Sequence, residues 1–332
     1  MTDTVVESQP EISHLIMQDF SKPVELFPIF RERVWGRESL EPIFPDQAAF
    51  PDQALKERIG EVWFTFEENM TSEGKNLKSL LSESPEILGN AAEAEHPGIC
   101  PILLKLLFTT ERLSVQVHPG DDYAQEHHRS LGKTEAWYVL DSQPPGELAV
   151  GFRETLTPER FLEAAQSGEI EQLLDWRKAK PGDVVFTPAG TVHAIGAGLT
   201  VCEIQENSDI TYRLYDYGRL RELHLEHGVK VSQLGPYRHE STVVRLADGR
   251  DELVACRYFR MERLRPEPGF RIKDLPFYVV ALCVKGVGTV GRDPFRAGQA
   301  WLLPAGGEIA VDGPGSEWIV TYSAERAAAG IV

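Results

Sequence analysis

The chain has 332 residues, of which 42% are hydrophobic and 26% are charged. These proportions are ordinary for a folded globular protein and exclude a disordered chain. With 51 acidic and 34 basic residues, the formal net charge is −17, which argues against a nucleic-acid partner because phosphate backbones are bound by clustered Lys and Arg. A small phosphorylated ligand remains possible, because a few converging basic side chains suffice to hold it.

The N-terminal segment and the cysteines indicate where the protein works. Residues 1–20 are predicted to be flexible, and they lack the basic and apolar regions of a signal peptide. No window approaches the roughly 20 apolar residues that a membrane helix needs. The four cysteines form no CxxC pair, and three lie in apolar runs, which predicts reduced thiols in the cytoplasm: Cys100, Cys202, Cys256 and Cys283.

Short apolar runs between turn residues predict a mainly β protein. In chain order, the predicted strands are LSVQVHP (113–119), TEAWYVL (134–140), GELAVGF (146–152), DVVFTPAG (183–190), LTVCEI (199–204), RYFRMERL (257–264), FYVVALCV (277–284), GTVGR (288–292) and QAWLLPAG (299–306). Apolar residues at three- and four-residue spacing predict helices at 76–89 and 157–176. The second helix opens with Thr157 as the N-cap and Pro158 at the first helical position.

An internal repeat predicts two related β-barrels. PGDVVFTPAG (181–190) aligns with AGQAWLLPAG (297–306), each with a glycine turn, a short strand and a Pro-Ala-Gly turn. The boundary is expected near 240–250, where the chain becomes polar. His193 aligns with Ile309, so the chemistry is predicted to lie in the first barrel. The expected domains are a catalytic domain with short helical insertions, 21–240, and a degenerate, metal-free domain, 241–332.

Four residues form a candidate metal site. Alternation along a strand places Gln116 and His118 on the same face. Glu135 opens another strand, and His193 follows the Pro-Ala-Gly turn. Two imidazoles, a carboxylate and an amide oxygen suit zinc, or else iron, manganese or cobalt, and leave positions open for substrate.

The spacing Gly182-x5-Pro188-x-Gly190-x2-His193 resembles the second cupin motif, and the strand ending in His118 supplies the counterpart of the first. The fold class predicted is therefore mainly β, with two cupin (jelly-roll) barrels and a few short helices. One zinc per chain is expected, with other divalent metals as alternatives. The adjacent His127 and His128 cannot readily join one site and are predicted to lie on the surface.

Over most of its length the sequence resembles the type I phosphomannose isomerases (mannose-6-phosphate isomerases), in the short bacterial form. The resemblance rests on these segments: Arg33-Val34-Trp35-Gly36, Ile59-Gly60-Glu61-Val62-Trp63, LSVQVHPGDDYA (113–124), GKTEAWYVL (132–140), PGDVVFTPAGTVHAIGAG (181–198) and ENSDITYRLYDYGR (206–219). It implies an enzyme that interconverts mannose 6-phosphate and fructose 6-phosphate through a cis-enediol(ate), with a divalent metal.

The resemblance also implies roles for individual residues. The metal ligands of the family fall on the same four residues, Gln116, His118, Glu135 and His193. Its catalytic residues fall on Arg213, Lys133, Glu203 and Lys105, and its phosphate contacts fall on Ser114 and Arg219. Arg213 is expected to stabilise negative charge, because a guanidinium stays protonated.

The proton-transferring base stays open between Glu203 and Lys133. Burial can raise the pKa of a carboxylic acid, and a nearby metal can lower that of a lysine. Longer members of the family have His-Lys-Pro-Glu where this chain has Gly132-Lys133-Thr134-Glu135, so no role for that histidine carries over. The chain also lacks the extra helical domain of those enzymes.

Two other classes of function are consistent with the same motifs. A cupin oxidoreductase would use iron to activate oxygen, but such sites are usually rich in histidine, and Gln116 stands here instead. A non-catalytic sugar-phosphate sensor would not need Lys133, Glu203 and Arg213. The expected partner is a small sugar phosphate, without nucleic acid or membrane, bound by a monomer or weak homodimer.

Overall fold

The computed structural model describes residues 22–44, 58–89, 98–239, 243–247 and 249–323, which contain 22 strands and five α-helices. The prediction of a mainly β protein is confirmed. The segment predicted to be flexible, 1–20, lies outside the described residues. None of the described helices is long and apolar enough to cross a membrane.

The first part of the chain forms two antiparallel sheets. The six-stranded sheet has the order β2 (Ile29–Arg37), β3 (Ile59–Trp63), β4 (Ile102–Phe108), β11 (Leu199–Glu206), β6 (Glu135–Ser142) and β9 (Val184–Thr187). The five-stranded sheet has the order β12 (Tyr212–Tyr215), β5 (Val115–Val117), β10 (His193–Ile195), β7 (Glu147–Phe152) and β8 (Leu174–Lys178). Every strand predicted between residues 113 and 204 is present.

The remaining strands form two further antiparallel sheets. The seven-stranded sheet has the order β1 (Val24–Leu26), β20 (Ala300–Leu303), β17 (Val279–Lys285), β22 (Glu317–Tyr322), β15 (Arg260–Leu264), β14 (Asp251–Ala255) and β13 (Val244–Arg245). The four-stranded sheet has the order β16 (Phe270–Lys273), β21 (Glu308–Asp312), β18 (Val287–Val290) and β19 (Asp293–Arg296). As far as the described residues go, all four sheets are open, and none closes on itself as a barrel.

The six-stranded sheet is covered on both faces. Alternate residues such as Leu104 and Leu106 pack against Val280, Leu302 and Ile319 of the seven-stranded sheet, in the largest core cluster. Each fully buried Leu or Ile contributes about 1.5–3 kcal/mol to folding. The intervening residues of the same strands turn toward the five-stranded sheet, where some pack in a second core and others, such as Lys105 and Glu203, line a cavity.

Three smaller cores complete the layers. Trp137 and Val139 of the six-stranded sheet meet Val150 and Ile195 of the five-stranded sheet. The outer face of the five-stranded sheet is covered by helices, with Phe161 in contact. The seven- and four-stranded sheets enclose the last core. The order of layers is therefore helices, five-, six-, seven- and four-stranded sheets.

The α-helices are α1 (Leu77–Glu83), α2 (Asp121–His128), α3 (Pro158–Ser167), α4 (Ile170–Leu173) and α5 (Leu225–Val231), and a short 3-10 helix spans Pro85–Leu88. Thr157 caps α3 as predicted, accepting a hydrogen bond from the Arg160 N–H at 3.2 Å. The prediction of one helix over 157–176 is wrong at its end. Gly168, with φ +83°, ends α3, and Leu174–Lys178 pair with β7 as a strand.

The two copies of the internal repeat have the same local conformation. Their strands are β9 and β20, the first glycine of the motif has φ +92° and +86° in the two copies, and the last has +85° and +73°. His193 begins β10, whereas Ile309 lies in β21 and is buried in the core between the seven- and four-stranded sheets. All four cysteines are free, and all except the half-buried Cys256 are buried.

Candidate metal centre and cavity

The four predicted metal ligands come together from two facing sheets. Gln116 in β5 lies directly opposite His193 in β10, across their antiparallel pairing. His118 follows β5 by one residue, on the same face as Gln116. Glu135 is the first residue of β6 in the six-stranded sheet. Strand alternation therefore accounts for the direction of each side chain.

Glu135 lies between the two imidazoles. Its Oε2 is 3.4 Å from His118 Nε2, and its Oε1 is 3.2 Å from His193 Nε2. One possible ligand atom from each of the three residues lies within 4.8 Å of the others. The three residues are at most 2% exposed, so bulk water does not solvate them.

Backbone carbonyl groups fix the tautomer of both histidines. His118 Nδ1 lies 2.9 Å from the Ile210 carbonyl oxygen, and His193 Nδ1 lies 2.9 Å from that of Thr191. A carbonyl oxygen can only accept, so each Nδ1 carries the hydrogen. The lone pair is then on Nε2, the atom that faces Glu135. A metal-binding histidine is usually held by such a contact.

The polar atoms at this centre suit a cation. His118 Nε2 and both carboxylate oxygens of Glu135 are buried without a hydrogen-bond partner among the described residues. Burial, assisted by Lys133, lowers the pKa of His118 to about 3, and burial also lowers that of His193. Burial alone would raise the pKa of Glu135, but Lys133 and the imidazoles outweigh it and lower the pKa. Two neutral imidazoles and a carboxylate are the forms that bind a divalent metal.

Gln116 can supply a fourth ligand atom. Its amide nitrogen is 3.2 Å from His193 Nε2, and its amide oxygen is 3.4 Å from Ser114 Oγ. A half-turn of the amide about its last bond exchanges the two atoms and brings the oxygen toward the centre. Ser114, predicted to contact phosphate, thus lies beside the candidate ligands.

A cavity of about 510 Å³ adjoins this centre. That volume is typical of a site for a small molecule. Its lining includes these predicted site residues: Lys105, Ser114, Gln116, Lys133, Glu203 and Arg213. The lining also includes residues to which the sequence analysis assigned no role: Arg33, Trp35, Glu61, Asp209, Arg221 and His224.

A row of charged side chains crosses the cavity side of the six-stranded sheet. Glu203 Oε1 is 2.8 Å from Lys105 Nζ, and its Oε2 accepts a hydrogen bond from Trp137 Nε1 at 2.9 Å. Burial raises the pKa of Glu203, and Lys105 offsets only part of this shift. Burial opposes the charge of Lys105, but Glu203 and Glu61 outweigh it and raise the pKa of the lysine. Lys105 is therefore a fixed cation.

Glu61 is the member of this row to which the sequence analysis gave no role, although it lies in one of the segments that carry the resemblance. It accepts hydrogen bonds from Arg33 Nη2 and Trp63 Nε1, both at 2.8 Å. An acidic residue in the middle of the apolar strand Ile59–Trp63 was the signal that could have found it, because a buried carboxylate needs partners.

Asp216 contacts two arginines, of which only one lines the cavity. Arg219, predicted to bind phosphate, donates from Nη2 to the Arg112 carbonyl oxygen at 2.7 Å and from Nε to that of Asp216 at 3.2 Å. It does not line the cavity described above. Arg221 grips the Asp216 carboxylate with two hydrogen bonds of 2.7 and 2.6 Å and does line the cavity.

Lys133 Nζ lies 3.3 Å from Glu135 Oε2, beside the candidate ligands.

The preceding Gly132 is required by close packing, because a Cβ atom there would lie 2.6 Å from the Asp121 nitrogen. A side chain at position 132 would therefore collide with the backbone at Gly120 and Asp121. Arg213 pairs with Gln116 across β12 and β5, and its Nε is buried without a partner among the described atoms.

His127 and His128 are exposed on α2, as predicted. His128 Nε2 lies 2.6 Å from the Tyr212 hydroxyl, and the His127 ring packs on Tyr123. Neither is part of the group around Glu135.

Comparison with known proteins gives consistent matches. A family model of the type I phosphomannose isomerase catalytic domain matches residues 24–160. Mannose-6-phosphate isomerase ManA of Bacillus subtilis (strain 168) is 34% identical over 325 residues, which are 91% of this chain and 99% of that protein. The mannose-6-phosphate isomerase of Streptococcus mutans is 30% identical over 304 residues, which are 86% of this chain and 93% of that protein.

Solved structures extend the likeness to the fold. The crystal structure of the mannose 6-phosphate isomerase from Bacillus subtilis has a TM-score of 0.79 at 29% identity, covering 91% of this chain and 99% of its own. A variant of phosphomannose isomerase from Salmonella typhimurium has a TM-score of 0.74 at 16% identity, covering 91% of this chain and all of its own. At that identity the second comparison speaks for the fold alone.

Proposed function

The chain belongs to the mannose-6-phosphate isomerase family, and on this premise we propose that it interconverts mannose 6-phosphate and fructose 6-phosphate with one divalent metal. The observation that carries the proposal is the buried group His118, Glu135 and His193 beside a cavity lined with charged residues. Aldose–ketose isomerisation moves a proton between C1 and C2 through a cis-enediol, which requires a base and positive charge beside the developing oxyanion.

We assign the metal to Gln116, His118, Glu135 and His193 and expect one zinc per chain. The buried acceptors without partners and the neutral imidazoles support this ligand set. When bound, zinc would polarise a sugar oxygen and help to stabilise negative charge on it. Metal supply in the cell can replace zinc by another divalent ion, because such N/O sites accept several.

We assign proton transfer to Glu203. A carboxyl group whose pKa is raised by burial is closer to the operating pH than an ordinary glutamate, which favours both removal and return of a proton. Lys105 and Trp137 hold the two carboxylate oxygens at 2.8 and 2.9 Å, so the group is oriented before substrate arrives. Lys133 contacts the candidate ligand Glu135 at 3.3 Å, and we therefore assign it an electrostatic role beside the metal rather than the role of base.

The remaining cations have electrostatic roles in this proposal. Arg213, Lys105 and Lys133 stabilise the enediolate, since all three line the cavity. Ser114 and Arg219 were expected to hold the phosphate. We keep Ser114 as a phosphate contact because it lines the cavity. We propose Arg221 as a further phosphate contact beside Arg219, because Arg221 lines the cavity and Arg219 does not.

We propose that the sheets form two flattened cupin units. The five- and six-stranded sheets, within residues 21–240, would be the catalytic unit, and residues 241–332 would be the degenerate one. The repeated glycine turns at β9 and β20 support this division. β1 belongs to the first segment yet extends the seven-stranded sheet, so the two units are interlocked.

The acidic surface and the reduced thiols fit a cytoplasmic enzyme of a small sugar phosphate. The net charge of −17 opposes phosphate-rich polymers, whereas the cavity gathers arginines and lysines locally. Four free cysteines are consistent with a reducing compartment.

Removal of the metal tests this function. The purified protein should contain about one zinc per chain and convert mannose 6-phosphate to fructose 6-phosphate in a coupled assay. A chelator should abolish turnover, and added zinc should restore it, because the arginines and lysines that line the cavity do not supply the Lewis-acid polarisation that the metal would provide. Absence of turnover in fully metal-loaded protein would refute the proposed reaction. Oxygen uptake at an iron-loaded centre would favour an oxidoreductase instead.

Replacing Arg213 by alanine should leave the metal in place and lower kcat by about 10²–10³-fold, as removal of one oxyanion-stabilising donor does. Metal content is measured by elemental analysis, and kcat by the coupled assay. Arg177→Ala is a matched control, because that arginine is exposed and pairs with Asp175 outside the site. Native kcat in the Arg213 variant would contradict the assigned role.

A further inference from the structure

Two carboxyl groups lie behind the segment that carries Lys133 and Glu135. Asp121 is the first residue of α2, and Glu206 is the last residue of β11. Glu206 is 4% exposed. Neither residue lines the cavity beside the metal centre, and neither has a place in the reaction proposed above.

These two residues, here called the carboxyl pair, hold the backbone on both sides of Lys133. Asp121 Oδ1 accepts the Gly132 N–H at 3.0 Å, and Glu206 Oε2 accepts the Thr134 N–H at 2.7 Å. The Glu206 N–H in turn donates to the Thr134 carbonyl oxygen at 3.1 Å. Side chains thus accept the backbone N–H groups of the two residues that flank Lys133, and one backbone hydrogen bond adds to the hold on Thr134.

The loop from His118 to Asp121 links residues 132–135 to the other side of the metal centre. The Lys133 N–H donates to the Pro119 carbonyl oxygen at 2.9 Å, and Pro119 directly follows His118. Asp121 lies two residues further along that loop. A displacement of the carboxyl pair would therefore move the backbone next to one candidate imidazole ligand and next to the carboxylate ligand.

Glu206 is buried, and Asp121 beside it is half-buried. Burial, with Asp121 nearby, raises the pKa of Glu206 to about 8. This shift favours the protonated form of the Glu206 carboxyl group. A protonated carboxyl group can accept one hydrogen bond and donate another, which a carboxylate cannot do.

A tyrosine from the turn between β14 and β15 completes the arrangement. The Tyr258 hydroxyl donates to Asp121 Oδ2 at 2.9 Å. Tyr258 lies in the tight turn before β15, where the Cys256 N–H donates to the Phe259 carbonyl oxygen at 3.0 Å. The turn thus presents Tyr258 to the carboxyl pair across the interface between the two sheet systems.

We propose that Asp121, Glu206 and Tyr258 are positioning residues that set the conformation of residues 132–135, so that the seven-stranded sheet contributes to the geometry of the metal centre. The proposal rests on the proposed ligand role of Glu135. It assigns no contact with substrate to any of the three. Outer contacts of this kind change metal affinity or activity by about 10–100-fold when removed.

Three variants test the proposal: Glu206→Ala, Glu206→Gln and Tyr258→Phe. Glu206→Ala should lower kcat and zinc affinity by about 10–100-fold with little change in KM, because the Thr134 N–H loses its partner. Glu206→Gln should recover most of this loss, since an amide also accepts one hydrogen bond and donates another. Tyr258→Phe should reduce both quantities by a smaller factor. It removes one hydroxyl and leaves the packing, so it keeps the test valid if Glu206→Ala fails to fold.

The matched control is Tyr278→Phe. Tyr278 is a buried tyrosine that directly precedes β17 of the seven-stranded sheet, and its hydroxyl contacts Ser323 at 3.3 Å rather than either member of the carboxyl pair. The readouts are zinc affinity, the visible spectrum of the Co²⁺-loaded protein and the split between KM and kcat. A purely structural role would lower thermal stability in all variants yet leave spectrum and zinc affinity unchanged, and that result would overturn the proposal. Because metal binding is read without turnover, failure of the isomerase assay is distinguishable from failure of the positioning role.

Discussion

Replacing His193 by alanine is expected to release the metal and to lower kcat by at least about 10³-fold. Loss of metal-based charge stabilisation removes several kcal/mol, and each ~1.4 kcal/mol is a factor of ten. His193 Nε2 lies 3.2 Å from Glu135 Oε1 at the centre of the group, and its Nδ1 is already held by the Thr191 carbonyl oxygen. Nothing in the described chain stands close enough to replace it as the second imidazole.

The measurement is zinc per chain by elemental analysis, together with the coupled assay. His127→Ala is the matched control, because that imidazole is exposed and outside the group around Glu135. The control should keep metal and turnover. Stoichiometric zinc in the His193 variant would show that the ligand set is wrong.

Replacing Glu203 by glutamine is expected to lower kcat by about 10²–10⁴-fold, the usual contribution of a positioned general base. Glutamine keeps the size of the side chain but cannot take up a proton. Metal content should be unchanged, since Glu203 contacts Lys105 and Trp137 rather than the candidate ligands. Because burial raises the pKa of Glu203, the native kcat should fall as pH drops below that raised value and the base becomes protonated.

Lys133→Met is the comparison that separates the two candidate bases. It removes a cation beside Glu135 and should raise KM or weaken the metal more than it changes the pH profile. If the glutamine variant at 203 retained native kcat while the methionine variant at 133 lost it, Lys133 would be the base. Proton exchange at C2 of the substrate, followed by mass spectrometry in deuterated solvent, gives an independent readout.

Much of the candidate site could be predicted from the sequence because it depends on local rules. Alternation in the strand Val115–Val117 fixes that Gln116 and His118 share a face. The glycine turn before His193 is visible in the spacing and reappears as positive φ angles in both copies. Each of these inferences needs only a few neighbouring residues.

Other features depend on contacts between distant segments, which local patterns do not encode. The helix predicted over 157–176 runs into Leu174–Lys178, and this segment instead forms a strand because it pairs with β7. Glu61 faces the cavity because Arg33 and Lys105 lie on the strands beside it. The carboxyl pair joins α2 to β11 through backbone groups at Gly132 and Thr134, and nothing in either segment alone indicates this.

The resemblance to relatives identified which residues occupy the family's positions, but it did not show which groups contact them in this protein. Arg219 occupies the position expected for a phosphate contact, yet Asp216 and the Arg112 carbonyl group hold it, while Arg221 lines the cavity. Arg219 and Arg221 are two residues apart in the same loop, and only Arg221 reaches the cavity. Loop geometry of this kind is set by packing, which a motif does not record.

The central place of the six-stranded sheet constrains how this enzyme can evolve. One side of β4 and β11 carries Lys105 and Glu203 toward the cavity, while the other side is shared with the seven-stranded sheet in the largest core. The seven-stranded sheet, which belongs to the proposed degenerate unit, therefore cannot be discarded, because it forms the back wall of the sheet that carries Lys105 and Glu203. Selection for chemistry acts on the residues of β4 and β11 that face the cavity, and selection for stability acts on the alternate residues that face the core. Residues that determine substrate preference can therefore change without disrupting the packing of the sheet.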